Sequence, residues 1–395
     1  MQPAVKHGLD VALEWLSGKE APRAERETAR LLKLGKLGLV TNPSAVTQRL
    51  QAGADVLHRA GARVAALFGP EHGVRGEFAD GARVGNSVDT RTGIPLYSLY
   101  GETNAPTDEM LAGLDAIAFD IQDVGARFYT FASTLGLVMK SAKKSGIPVI
   151  ILDRPNPLGG IEIEGPVLEP KHSSFVGRHP IPVRHGCTIG ELGRLWSHFG
   201  DGDEPQVVRC SGWRRNRLWP ATGLDWVAPS PNMPTFETAL TYPGACFFEG
   251  TNVSEARGTA NPFRWFGAPW LEPEDTSDAL NGVALPGVRF RPVRFRPSSS
   301  KHVGLTCGGC QIHLTDFSRF RPVRTAVVIL HHLRRRYDGS FRWLGSNGRF
   351  GVDRLVGTSR LREAAEDGAP ERLAAEWQGQ CEQFRVLKER VSLYP

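Results

Sequence analysis

The sequence has no run of apolar residues long enough to span a bilayer, so no transmembrane helix is expected. Its opening stretch, Met1 to Lys19, carries Lys6, Asp10 and Glu14 and no apolar centre, so it does not read as a secretory signal; a cytoplasmic protein is expected. Cysteine is sparse and scattered (Cys187, Cys210, Cys246, Cys307, Cys310, Cys381), which excludes a disulfide framework. The single C-x-x-C, Cys307-Gly-Gly-Cys310, has no second pair and sits in an apolar strand pattern, so a buried strand end is favoured over zinc or redox chemistry. With no His-rich ligand set, neither a metal nor a cofactor is expected. Walker, G-x-G-x-x-G and G-x-S-x-G motifs are absent, which disfavours nucleotide binding and α/β-hydrolase chemistry. Charge of one sign is also lacking: the net +6 is small for 395 residues, is not a nucleic-acid signature, and suits an anionic small substrate equally well.

What is present is ordinary globular composition, 41% hydrophobic and 23% charged, in a chain long enough for two domains. Four apolar runs each stop at a polar tip. Leu37 to Val40 ends in Thr41-Asn42-Pro43-Ser44, and Val64 to Phe68 in Gly69-Pro70-Glu71-His72-Gly73. Leu114 to Phe119 leads into Asp120-Ile-Gln-Asp-Val-Gly-Ala-Arg-Phe-Tyr-Thr130, and Pro148 to Leu152 into Asp153-Arg154-Pro155-Asn156-Pro157. Helical periodicity covers much of 7–34, a stretch ending near Ala60, Phe131 to Lys143, and Thr188 to Phe199, where Thr188 and Glu191 form a capping-box pattern. This alternation predicts an α/β fold with a parallel sheet whose tips converge on one edge, where ligands bind in such sheets. Between the second and third runs lies a Gly/Asp/Thr-rich excursion, Val74 to Gly101, with a hairpin expected at Thr92-Gly93-Ile94-Pro95.

A composition shift over 261–286 suggests a division into a catalytic domain, 1–265, and a smaller α+β domain, 266–395. The latter should contain strands near Val288 to Pro297 and Cys310 to Leu314 and helices near Val323 to Arg336 and Pro370 to Val386. Arg289-Phe-Arg-Pro-Val-Arg-Phe-Arg-Pro297, echoed by Arg319-Phe-Arg-Pro-Val-Arg324, could stack on single-stranded nucleic acid. An edge strand with Phe inward, Arg solvated and Pro tolerated is the more economical reading, and no nucleic-acid partner is expected.

Several tip residues carry candidate chemistry. Glu71, a carboxyl at a strand end, could act as a general acid or simply cap a loop. Asp120 and Asp123 could form an acid–base pair, with one of them instead pairing with Arg127 to order the loop. His72 is a proton carrier or a polar loop residue, and Asn42, Arg154, Asn156 and Asn252 are suited to hold hydroxyl, acetamido or carboxylate groups.

Taken together, Gly38-Leu-Val-Thr-Asn-Pro43, Leu67-Phe-Gly-Pro-Glu-His-Gly73, Phe119 to Thr130 and Asp153-Arg-Pro-Asn-Pro157 resemble the exo-β-N-acetylmuramidase family. So do Ser230-Pro-Asn-Met-Pro234, Phe248-Glu-Gly-Thr-Asn252 with Arg257-Gly-Thr259, and Cys307-Gly-Gly-Cys-Gln-Ile-His313; Ala256 stands where that family is expected to have Gly. The resemblance implies a glycoside hydrolase that removes N-acetylmuramic acid from the non-reducing end of peptidoglycan fragments. It also implies a Rossmann-like domain carrying the active site and a smaller domain closing the cleft. It points to Glu71 as the catalytic acid and to Asp120 or Asp123 as its partner, with Arg127, Tyr129, Glu249 and Asn252 in the binding set. Arg127, Arg154 or Arg257 would hold the lactyl carboxylate of the muramic acid. A direct nucleophile, an activated water and attack by the sugar's own acetamido group all remain open, as does a binder that has kept the cleft without catalysis.

Overall fold

The structure is a computed structural model describing residues 5–76, 87–101, 103–367 and 370–395. Each of the four apolar runs becomes a strand: β1 (Lys36–Thr41), β2 (Arg63–Gly69), then, after the short β3 (Ser87–Val88) and β4 (Pro95–Ser98), β5 (Ala116–Asp120) and β6 (Val149–Leu152). A hairpin, β7 (Glu164–Val167) and β8 (Pro182–Arg184), precedes the last strand of the main sheet, β9 (Gln206–Val208). The sheet order is β3-β4-β2-β1-β5-β6-β9, parallel throughout except for β3, which pairs antiparallel with β4. Counted from the N-terminus, the parallel strands lie in the order 3-2-1-4-5-6, the doubly wound Rossmann arrangement. The β3–β4 turn contains Thr92 and Gly93 as expected, with Asp89 bonded to Ile94 and Gly93 across it; part of the expected excursion, 77–86, lies outside the described residues.

Both faces of this sheet are apolar, as parallel strands covered by helices require. Helices α1 (Gly8–Leu16), α2 (Arg26–Leu34) and α3 (Gly53–Arg59) cover one face, where Leu37, Leu39, Leu67, Ala116 and Ala118 form a core. After the single turn α4 (Asp108–Leu111), α5 (Thr130–Lys144) and α6 (Ile189–His198) cover the other, packing on Val40, Phe68, Ile117 and Phe119. The α6 start carries the expected reciprocal capping box between Thr188 and Glu191.

The apolar core of the α5/α6 face does not stop at the sheet; it continues through Phe247, Phe266 and Leu330 to Leu373 in the rest of the chain. There, α7 (Phe236–Ala245) leads through a 3₁₀ turn (Cys246–Gly250) to an antiparallel sheet, order β10-β12-β11, made of β10 (Trp265–Ala268), β11 (Val288–Phe295) and β12 (Cys307–Leu314). Helices α8 (Pro273–Gly282), α9 (Pro322–Arg336), α10 (Gly351–Val356), α11 (Arg360–Asp367) and α12 (Pro370–Val391) complete this α+β part. α12 returns to pack on β7.

β11 is the edge strand that its composition suggested: Phe290 and Phe295 are buried while Arg289, Arg291 and Arg294 are exposed. Its echo is not a second strand. Phe320 is buried and Pro322 opens α9, because a proline at the first helical position starts a helix readily. Cys307 and Cys310 are unlinked and buried in β12.

Candidate active site

The chain turns sharply at the tip of β2. Gly73 N–H donates to the Pro70 carbonyl at 2.9 Å, and His72, at the third position of this turn, takes φ = +75°. A left-handed backbone of that kind is the geometry of a type II turn and is costly for a residue with a Cβ. The turn sets His72 inward, buried, and leaves Glu71 half-buried over an open cleft. The Thr130 hydroxyl at the start of α5 donates to Glu71 Oε2 at 3.2 Å, holding the carboxylate from the β5 side of the sheet edge, two strands away.

The cleft encloses about 800 Å³, within the range of small-molecule sites. The main sheet contributes Glu71, His72, Phe128, Tyr129, Thr130 and Phe131 to its wall, and the second half of the chain contributes Tyr242, Glu249, Arg257, Ser299 and Ser300. The aromatic side is packed edge to face, with Tyr129 against Phe131 at 4.9 Å and against Tyr242 at 5.8 Å between ring centroids. Such a wall offers flat apolar area to a sugar ring without losing shape when empty. Continuing from this wall, Arg257 donates to Glu249 Oε1 from Nη2 at 2.8 Å and from Nε at 3.1 Å, with its guanidinium carbon 5.0 Å above the ring of Phe263, itself edge to face with Tyr242 at 4.8 Å. Glu249 keeps 31% of its side chain open, yet the protein around it desolvates it enough to raise its pKa against the pull of Arg257. Burial also pushes the Cys246 thiol well up, so this cleft cysteine is no thiolate nucleophile.

Of the expected site residues, the cleft gathers Glu71, His72, Tyr129, Glu249 and Arg257. The others lie elsewhere. Asp120 does not pair with Arg127, as one of the loop aspartates was expected to; its Oδ1 accepts from Arg154 Nε at 2.6 Å, both side chains being almost fully buried. Strand alternation explains the direction. Asp120 shares the parity of Ala116 and Ala118, which face α1–α3, whereas the cleft aromatics belong to the opposite core. Accordingly Asp120 Oδ2 lies 2.9 Å from where a Cβ on Gly53 of α3 would sit, and Arg154 spends Nη2 on the Val46 carbonyl.

Asp123 is buried beneath the loop. Its Oδ2 accepts from Gly125 N–H at 2.6 Å, and desolvation raises its pKa to about 7. His185 Nε2 stands 3.6 Å away and is held neutral, its pKa pushed down to about 3 by burial and by Lys388 and Arg127. Because His185 Nδ1 accepts from Cys187 N–H, the neutral ring carries its proton on Nε2, facing Asp123.

Arg127 is no carboxylate clamp: it is buried, and its Nη atoms donate to the carbonyls of Pro166, Ile181, Leu355 and Val356. Asn42 bonds Ser44 and the Pro229 carbonyl, Asn156 bonds Leu158 and the Cys187 carbonyl, and Asn252 bonds Ser340 and Arg342, so these amides organise loops outside the cleft wall. Thr130, Ser230, Asn232, Tyr242, Ser299 and Ser300 line the cleft without having been singled out. Ser230 and Asn232 had a signal in the Ser230-Pro-Asn-Met-Pro234 motif; Ser299 and Ser300, in a loop far along the chain, had none.

The family model described as exo-β-N-acetylmuramidase NamZ, N-terminal, matches residues 37–237, and its C-terminal counterpart matches 240–394, the two meeting at α7. The chain is 41% identical over 396 aligned residues to the peptidoglycan β-N-acetylmuramidase NamZ of Bacillus subtilis strain 168, covering 100% of this chain and 92% of that protein. Crystal structures of two DUF1343 family proteins of Bacteroides fragilis NCTC 9343 superpose over 99% of both chains, with TM-scores of 0.87 at 33% identity and 0.76 at 26% identity. On this evidence the chain belongs to the exo-β-N-acetylmuramidase NamZ family.

Proposed function

We propose that this protein is an exo-acting glycoside hydrolase that releases N-acetylmuramic acid from the non-reducing end of peptidoglycan fragments, with Glu71 as its general acid. The observation that carries the assignment of Glu71 is positional. It is a carboxyl held on a strained turn over the cleft, oriented by Thr130, in the Pro-Glu-His motif at the tip of a Rossmann strand. In glycoside hydrolysis one carboxyl protonates the leaving oxygen while a second group assists at the anomeric carbon. Among the described residues, Glu249 is the only other carboxylate side chain lining the cleft, and Arg257 engages it. Asp120 and Asp123, both buried behind the cleft wall, support it: Asp120 through its ion pair with Arg154, Asp123 by holding the Gly125 turn. The aromatic wall of Tyr129, Phe131 and Tyr242 stacks on the sugar, and His72, Ser230 and Asn232 offer polar contacts to its hydroxyl and acetamido groups.

The test is release of N-acetylmuramic acid from a chromogenic β-N-acetylmuramide by wild type and by Glu71→Gln. The variant should lose on the order of 10²-fold or more in kcat while melting close to wild type. Unchanged turnover would remove Glu71 from the acid role. Tight binding by the wild type with no hydrolysis would instead mark a binder that has kept the cleft.

A further inference from the structure

Muramic acid differs from glucosamine by a lactyl ether that ends in a carboxylate, so an enzyme acting on it must accommodate a negative charge beside the sugar ring. Of the three arginines that the sequence offers for this, the structure removes two. Arg154 is buried on the α1–α3 face against Asp120, and Arg127 is buried with its Nη atoms committed to backbone carbonyls. Arg257 is the one lysine or arginine among the described residues lining the cleft.

Its present engagement has the form of an exchangeable one. Nε and Nη2 both meet Glu249 at a single oxygen, Oε1, so the guanidinium fork is not matched to the carboxylate edge to edge, the geometry that makes such pairs strong. Both side chains are partly open, Arg257 by 24% and Glu249 by 31%. The guanidinium is held in place independently of Glu249 by the Phe263 ring at 5.0 Å, and Glu255 Oε1 lies 3.7 Å from its Nε. Glu255 cannot replace Glu249 as the exchanging partner, because it is buried and already receives Lys301 and Ser300. The raised pKa of Glu249 is consistent with a carboxylate that gives up its charge at little cost.

We infer that Arg257 is the specificity residue that reads the lactyl carboxylate, and that Glu249 is a resident counter-ion which the substrate carboxylate displaces from it. Arg257 then keeps its place against the Phe263 ring on binding. The empty cleft carries no uncompensated cation, which disfavours adventitious anions. The inference rests on the muramidase reading above.

The experiment compares kcat/KM on a chromogenic β-N-acetylmuramide with that on the same glycoside whose lactyl carboxylate has been converted to the carboxamide. Wild type should prefer the carboxylate. Arg257→Gln should reduce that preference by roughly 30- to 100-fold, mainly through KM on the charged substrate, with the carboxamide affected only about threefold or less. Arg257→Lys should keep part of the preference, and Glu249→Gln, which removes the negative charge of the resident partner while keeping its acceptor oxygen, should lower KM for the charged substrate. A wild type without preference, or an Arg257→Gln variant that loses both substrates equally, overturns the inference. A wild type that cleaves neither substrate overturns the muramidase reading instead.

Discussion

Asp123 is stable in its buried position mainly as a neutral acid, and this makes the fold pH-sensitive at one residue. Its carboxyl has a folded pKa of about 7 against an unfolded value near 3.8, the cause being desolvation outweighing the bonds from Gly125 and Val124. Below about pH 4 the carboxyl is protonated whether folded or unfolded, and its burial adds no ionisation penalty. As pH rises toward 7 the unfolded chain ionises and the folded chain does not, so stability is lost progressively, by a few kcal/mol in order of magnitude, and levels off above the folded pKa. Asp123→Asn keeps an acceptor for Gly125 and has no such titration. Its melting temperature relative to wild type should therefore be several degrees more favourable at pH 8 than at pH 5. Equal differences at both pH values would show that Asp123 does not titrate in this way. His185 opposes the trend, since its depressed pKa costs stability below about pH 6.5. It is common to both proteins and, 3.6 Å from position 123, enters the difference only through its contact with that side chain. Another residue-scale feature is Ala256, buried at φ = +62°, a left-handed backbone that explains why glycine is expected at this place.

The loop from β5 to α5 shows how an element is built to deliver side chains. Gly125 has φ = +80°, and a Cβ there would meet Asn156 Oδ1 at 2.5 Å. Gly125→Ala should therefore cost roughly 2 kcal/mol or more, from the left-handed backbone and the displaced Asn156 together. Thermal denaturation should fall by several degrees and KM should rise, because Phe128 to Phe131 hang from this loop into the cleft; an unshifted melt would mean that the loop absorbs the methyl freely. The strands at these tips were legible because apolar runs bounded by Asn-Pro, Gly-Pro and Asp-Arg-Pro have few other readings, and the α6 start because Thr188 and Glu191 form a reciprocal cap. What the runs could not say was which face each tip residue would choose. In a sheet apolar on both faces, Asp120 and Phe119 look equally available to a ligand, yet one residue of parity sends Asp120 toward α3 and Phe119 into the core behind the cleft. The part of the lining from the second half of the chain was illegible for a different reason: Tyr242, Ser299 and Ser300 come to share the cleft with Glu71 through long-range packing that local periodicity does not encode.

At the scale of the whole molecule, Arg127 joins parts of the chain that the cleft needs to keep in register. Its backbone N–H donates to Val183, Nη1 donates to Pro166 and Ile181 in and beside the β7–β8 hairpin, and Nη2 donates to Leu355 and Val356 at the end of α10, with Leu355 itself lining the cleft. A buried guanidinium is costly, and burial does lower its pKa to about 9, but four carbonyl dipoles replace the water it gives up. The following Gly357, at φ = +86°, lets the chain pass: a Cβ there would sit 2.7 Å from Arg127 Nη2. Replacing Arg127 by Met would take a donor from all four carbonyls and leave Ile181 only its bond from Leu168 N–H, at about 3–5 kcal/mol in total. Arg127→Lys, with a compact ammonium in place of the planar fork, should satisfy some of them and fall between. The expected order in urea midpoint is wild type, Lys, Met, and the Lys variant should show a raised KM with kcat less affected, since Glu71 and Thr130 remain in place while the Leu355 wall loosens. A Met variant that unfolds at the wild-type midpoint would show that the β7–β8 hairpin and α10 are held to the Rossmann sheet by the shared apolar core alone.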